Sequence, residues 1–171
     1  LAIIGTDFCA YASAARNFLA HRGLRLDDGR APTLHPPGFP VALALFGALT
    51  GDVEVGCKLL WCLSATLLVL VACIAGWLLG GAEAGVSAAL YSALVPVLFF
   101  PPNYLASSDG LSEHPAALLA LSALSLAWHI PGVRGAALAG AAIAAGYLVR
   151  VEVALVVPML QPSSGGDRAA S

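Results

Sequence analysis

The sequence predicts an all-α, polytopic transmembrane helix bundle with amphipathic juxtamembrane helices in its first external loop. Three observations carry that expectation. Hydrophobic residues make up 59% of the chain and charged residues only 11%, at a mean hydropathy of +0.86, whereas soluble domains hold about 25% charged residues. No charged residue falls between Lys58 and Glu83, a stretch longer than the ~20 apolar residues that cross a bilayer as a helix. Polar residues are instead gathered in one island, Thr6 to Pro40, which holds Asp7, Arg16, Arg22, Arg25, Asp27, Asp28 and Arg30 together with His21 and His35.

The elements follow in order. Thr6 to about His21 reads as a short helix, with Thr6 as a cap and Asp7 suited to the positive helix start. Phe8, Tyr11, Ala15, Phe18 and Leu19 form its apolar stripe; Asp7, Ala14, Asn17 and His21 lie on another side. Gly23 is expected to end it, and Asp27-Asp28-Gly29 is a turn signal. Pro36-Pro37-Gly38-Phe39-Pro40 breaks regular structure and starts a second helix, closed by Gly51 after Thr50. That helix is too short to span and reads as interfacial or re-entrant.

Four spans follow this first loop (residues 6–52), at about 53–80, 83–100, 109–129 and 133–160. Trp61 and Trp77 are expected as interface anchors of the first span, and Gly80-Gly81 as its stop. Pro96 is a candidate kink, and Pro101-Pro102 ends the second span. Asp109 or Ser112 caps the third, with Pro115 tolerated in the first turn. The fourth has an Ala/Gly-rich first half, including Gly140 and Ala144, expected to pack tightly on neighbours. Short turns at Gly80–Glu83 and His129–Arg134 fall on one side, so span parity brings Asp7, His35, Asp109 and Glu113 to the other.

The ends and the remaining composition narrow the class. Leu1-Ala-Ile-Ile-Gly5 is too short for a signal peptide or a span and reads as the last turn of a helix. Pro162 to Ser171 reads as a disordered tail. The chain is therefore expected to be a piece of a larger membrane protein. A net charge of −2 with no basic tract gives no expectation of nucleic acid as a partner. Cys9, Cys57, Cys62 and Cys73 form no C-x-x-C pair and read as small buried hydrophobes.

Two ionisable residues inside the last apolar stretch, Arg150 and Glu152, need partners, because an unpaired charge there costs several kcal/mol. On one helix, residues at i and i+2 do not face each other, so each is expected to pair elsewhere. Either they bind a substrate's phosphate and hydroxyls or they form a structural ion pair between helices. Glu113, at a helix start, either caps that region or lines a site. His35, beside prolines, reads as a loop histidine or a site residue.

Several of these pieces, in this order, resemble the GT-C glycosyltransferases, and most of all their bacterial dolichyl-phosphate-mannose-protein-mannosyltransferase-like and ArnT-like branch. The pieces are Asp7-x-x-x-Tyr11 with Ala15-Arg16-Asn17-Phe18-Leu19 and Arg22-Gly23, then Pro36-Pro37-Gly38-Phe39-Pro40, Ser112-Glu113, and Arg150-Val151-Glu152 where the family often has Arg-Pro-Glu. They cover about Gly5 to Met159, as an N-terminal fragment.

The resemblance implies a multi-pass enzyme, in the bacterial inner membrane, that moves a sugar from a polyprenyl-phosphate donor to a hydroxyl of a lipid, glycan or protein acceptor. It implies Asp7 as catalytic base in an inverting single displacement, and Tyr11, His35, Glu113, Arg150 and Glu152 as substrate-binding residues. No cofactor is specified, and a divalent metal is left open. Many relatives carry a second acidic residue just after the aspartate, where this chain has Phe8-Cys9-Ala10. The alternatives are a non-catalytic remnant of such an enzyme and a transporter or channel subunit, although no internal repeat of the transporter kind is visible.

Overall fold

A computed structural model describes residues 6–32, 36–99 and 112–160. Among these the regular structure is helical: α1 (Thr6–Leu19), α2 (Gly38–Thr50), α3 (Val53–Phe99), α4 (Glu113–His129), α5 (Gly132–Val149) and a terminal 3-10 helix (Val151–Leu160). The expected caps and loop residues His35 and Asp109, and the expected tail, lie outside the described residues.

α1 ends differently from expectation. The Arg22 N–H donates to the Asn17 carbonyl at 2.9 Å and the His21 N–H to the Phe18 carbonyl at 3.0 Å. This pair of bonds is a Schellman motif, and its left-handed residue is His21 (φ 58), not Gly23. The apolar face of α1 is also shifted. Phe8, Ala12, Ala14 and Ala15 are buried while Phe18 and Leu19 are exposed. Asn17, expected on the polar side, is buried because it binds the following loop: its Nδ2 donates to the Arg25 carbonyl at 2.9 Å and to Asp27 Oδ1 at 3.3 Å.

α2 turns back into α3 through Gly51, whose φ of 78 closes α2 as expected. Asp52 then caps α3. Its Oδ1 accepts from the backbone N–H groups of Glu54 (2.7 Å) and Val55 (2.9 Å), and these bonds hold its carboxyl below the usual carboxylate range. The two helices cross at backbone contact: a Cβ on Gly56 would stand 2.5 Å from the Gly47 nitrogen.

α3 is a hairpin of two limbs. Gly81 leaves helical geometry (φ 81, ψ −169). A Cβ on Gly76 would lie 2.7 Å from the Ala84 carbonyl oxygen, and one on Gly85 2.9 Å from the Cys73 carbonyl oxygen. In a straight helix residues eight apart are separated by about 12 Å, so limbs 53–80 and 82–99 run antiparallel. The tight turn falls where the Gly80–Glu83 sequence places it.

α4 and α5 form a second hairpin, with Leu119 against Gly146. In α5 the close contacts fall on Gly135 and Gly146; Gly140, expected to pack tightly, faces open space and Ala144 is exposed. The fourth apolar stretch is also not one helix. It is α-helical only to Val149, breaks at extended Arg150 (φ −156, ψ 125), and continues as the 3-10 helix. Gly146 makes the return possible, since a Cβ there would meet Val153 Cγ1 at 2.7 Å.

One core joins these parts: Phe8, Ala12 and Ala15 of α1, Phe39, Leu43 and Ala44 of α2, Val53, Cys57 and Leu60 of α3, Ala116 of α4, and Val149 and Val153. Of the cysteines only Cys57 is buried; Cys9 and Cys62 are exposed, against expectation. Trp61 packs its ring on His114 (centroids 5.0 Å apart), whereas Trp77 points outward, 64% exposed. Along the first limb of α3, Leu59, Leu63, Leu67, Leu70 and Ile74 are exposed at helical spacing, a surface that lipid solvates and water does not.

Among the described residues, two helical segments are apolar and long enough to cross a membrane, Val53–Leu94 and Gly132–Val149. α4, with 17 residues, spans ~25 Å against a hydrocarbon core of ~30 Å. Helices of this length and apolarity fit a membrane protein.

His21 bears a left-handed conformation that disfavours any side chain. His21→Gly is expected to raise stability by about 1 kcal/mol, and His21→Val to lower it. Thermal unfolding in detergent reads both; a destabilised glycine variant contradicts the motif.

Candidate functional site

The break after Val149 creates the site. Once Arg150 leaves the helix, its side chain turns toward the start of α4. Its Nη1 stands 3.3 Å from Glu113 Oε1 and 3.5 Å from Ser112 Oγ, and its Nε 3.2 Å from Glu152 Oε2. The i, i+2 argument against an Arg150–Glu152 contact assumed one continuous helix; with Arg150 extended, the two side chains meet. Ser112, expected as a cap, makes no side-chain cap bond. Its oxygen faces the guanidinium instead, and the residue is buried, 4% exposed.

This cluster is half-buried. The side chains of Arg150 and Glu113 are 36% and 37% exposed, and Glu152 is more open at 54%. Two carboxylates flank the one guanidinium and fix its plane. Its Nη2 has no protein acceptor among the described residues. Nη1 and Nε are therefore held, and Nη2 is left to donate to an arriving anion.

α2 supports the cluster from behind. Gly38 packs so closely that a Cβ would lie 2.6 Å from the Leu148 carbonyl oxygen. The neighbouring Phe39 is 1% exposed and takes the edge of the Tyr11 ring, centroids 4.8 Å apart at 77°. Tyr11 thus connects through Phe39 and Gly38 to the segment that ends at Arg150. Asp7 lies in the first turn of α1, next to Phe8, a member of the core that also holds Val149 and Val153.

The structure therefore brings together Glu113, Arg150 and Glu152 and links Tyr11 to them through packing; His35 lies outside the described residues. Sequence reasoning missed Ser112 as a partner of Arg150 and His114 as a partner of Trp61. The adjacency of Ser112 to Glu113 was the available signal for the first. Among the described residues no group of three or more His, Cys, Asp or Glu is placed to hold a metal ion.

Gly38→Ala should push α2 off Leu148. The expected cost is about 1–3 kcal/mol, read by thermal unfolding in detergent, with loss of the Arg150 geometry. A silent alanine would mean that the contact is loose.

A family model described as dolichyl-phosphate-mannose-protein mannosyltransferase matches residues 34–161. The match takes in His35, Glu113, Arg150 and Glu152 and leaves Asp7 and Tyr11 outside it. No curated protein and no solved structure matches the chain.

Proposed function

Because the chain belongs to the dolichyl-phosphate-mannose-protein mannosyltransferase family, we propose that it is the membrane part of a glycosyltransferase of the GT-C type, multi-pass in the bacterial inner membrane. Its donor is a polyprenyl-phosphate sugar, and its acceptor a hydroxyl of a lipid, glycan or protein. The observation that carries this reading is the family match over a stretch in which Glu113, Arg150 and Glu152 converge at the end of apolar helices.

In this reading the acceptor hydroxyl attacks the anomeric carbon while the bond from that carbon to the phosphate oxygen breaks. Asp7 takes the hydroxyl proton, and the lipid phosphate leaves with the bonding electron pair. A single displacement inverts the anomeric centre. The leaving phosphate needs positive charge more than it needs an acid, and Arg150, through Nη2, supplies it. Glu113 and Glu152 hold that guanidinium in place, and Glu152, the more open of the two, faces sugar hydroxyls. His35 and Tyr11 complete the substrate contacts. A divalent metal at the phosphate is compatible with this scheme, and no step here depends on one.

A second reading has a specific observation behind it. Both carboxylates already engage Arg150, as in an ion pair that only ties α4 to the chain after α5.

The experiment is sugar transfer from a polyprenyl-phosphate donor by the complete gene product, with Asp7→Asn as the decisive variant. The amide keeps the shape but accepts no proton at neutral pH. Transfer should fall on the order of 10²–10⁴-fold, with expression unchanged. Asp27→Asn, in the turn of the same loop, should stay close to wild type. An Asp7→Asn enzyme within a few-fold of wild type removes Asp7 as the base.

A further inference from the structure

α1 and the polar loop after it carry four arginines, and the structure divides them. Arg16 pairs with Glu54 at 3.2 Å, and Arg30 pairs with Asp28, whose carboxyl it holds below its usual range. Arg22 and Arg25 are exposed and have no acidic partner among the described residues. Of the two nearby acids, Asp28 is taken by Arg30 and Asp27 accepts from Asn17.

These two cations are not on a loose loop. Both are fixed through one buried residue: the Asn17 carbonyl accepts the Arg22 N–H at 2.9 Å, and Asn17 Nδ2 donates to the Arg25 carbonyl at 2.9 Å. Their height is also set. Arg16, one turn back on α1, touches Glu54, the second residue of α3, where the apolar segment begins. Beside them stands an apolar patch. Phe18 and Leu19 are 43% and 37% exposed. Leu19 Cδ1 lies 3.6 Å from a Cβ built on Gly47, so the patch is braced against α2.

We propose that this corner is a docking site for anionic phospholipid headgroups: Arg22 and Arg25 take the headgroup phosphates while Phe18 and Leu19 enter the acyl boundary. Apolar side chains that insert under a pair of free cations are what an anionic bilayer surface binds. The site is separate from Arg150, and its lipid is a bulk membrane component, not a sugar donor. The inference rests on the reading that α3 crosses a bilayer and is independent of glycosyl transfer.

The test uses the complete gene product in nanodiscs of phosphatidylcholine with phosphatidylglycerol. Native mass spectrometry counts the lipids retained on release. The wild type should retain phosphatidylglycerol in preference. Arg22→Gln with Arg25→Gln should lower that preference on the order of tenfold. Asn17→Ala should lower it several-fold with both arginines still present, and Arg30→Gln should leave it intact. Added salt should weaken the preference, whereas inorganic phosphate at matched ionic strength should not displace the lipid. The proposal is overturned by an unchanged preference in the double variant, by an equal loss in Arg30→Gln, or by displacement with inorganic phosphate, which would indicate a free-anion site. Wild type that fails to enter the discs overturns the spanning reading, and this inference with it, without touching the question of transfer.

Discussion

A guanidinium in a hydrophobic chain must be matched by acceptors, and most of the architecture around Arg150 follows from that demand. The charge cannot stay on a continuous apolar helix without a partner. The α-helix accordingly stops at Val149, Arg150 becomes extended, and the side chain reaches Glu113, Ser112 and Glu152. This one break ties the start of α4 to the end of α5. It also sends the 3-10 helix back over Gly146, where Val153 rejoins the core.

Close backbone approach is the second constraint. Gly38 meets Leu148, Gly56 meets Gly47, and Gly76 meets Ala84, each at a distance that excludes a Cβ. In lipid, helices gain little from hiding apolar side chains from each other, so packing at short range carries their association. The glycine of the Pro-Pro-Gly-Phe-Pro segment thus has a packing role: it lets α2 rest on the strand of chain that presents Arg150. The same segment supplies Phe39, on which Tyr11 rests.

Much of this was legible in the sequence, because hydropathy and punctuation report on helices directly. The charge-free run after Lys58 gave the first limb of α3, and Gly80-Gly81 gave its turn. Gly51 marked the end of α2. Other features depend on tertiary contacts that no local pattern encodes. Arg150 and Glu152 looked mismatched because periodicity assumed a helix through them. Asn17 looked like a surface residue because its partners, the Arg25 carbonyl and Asp27, are set by a loop fold. α1 closes at His21 and not at Gly23, since hydrogen-bond spacing, not glycine preference, decides where it ends; Gly23 is left-handed too (φ 79). Glu113 was recognised as a site candidate, but its partner was not, because Glu113 and Arg150 are 37 residues apart in sequence.

We propose that Arg150, through its free Nη2, grips the lipid phosphate, beyond any role in tying helices together. Equilibrium binding of a polyprenyl-phosphate sugar to the complete gene product in nanodiscs tests it most directly, with Arg150→Lys and Arg150→Ala compared with wild type. Lysine keeps the charge but loses the planar fork. The account predicts graded loss, with lysine intermediate and alanine weakest, in variants that still insert. Wild-type affinity in the alanine variant, accompanied by lowered stability, would contradict it and assign Arg150 to a structural ion pair.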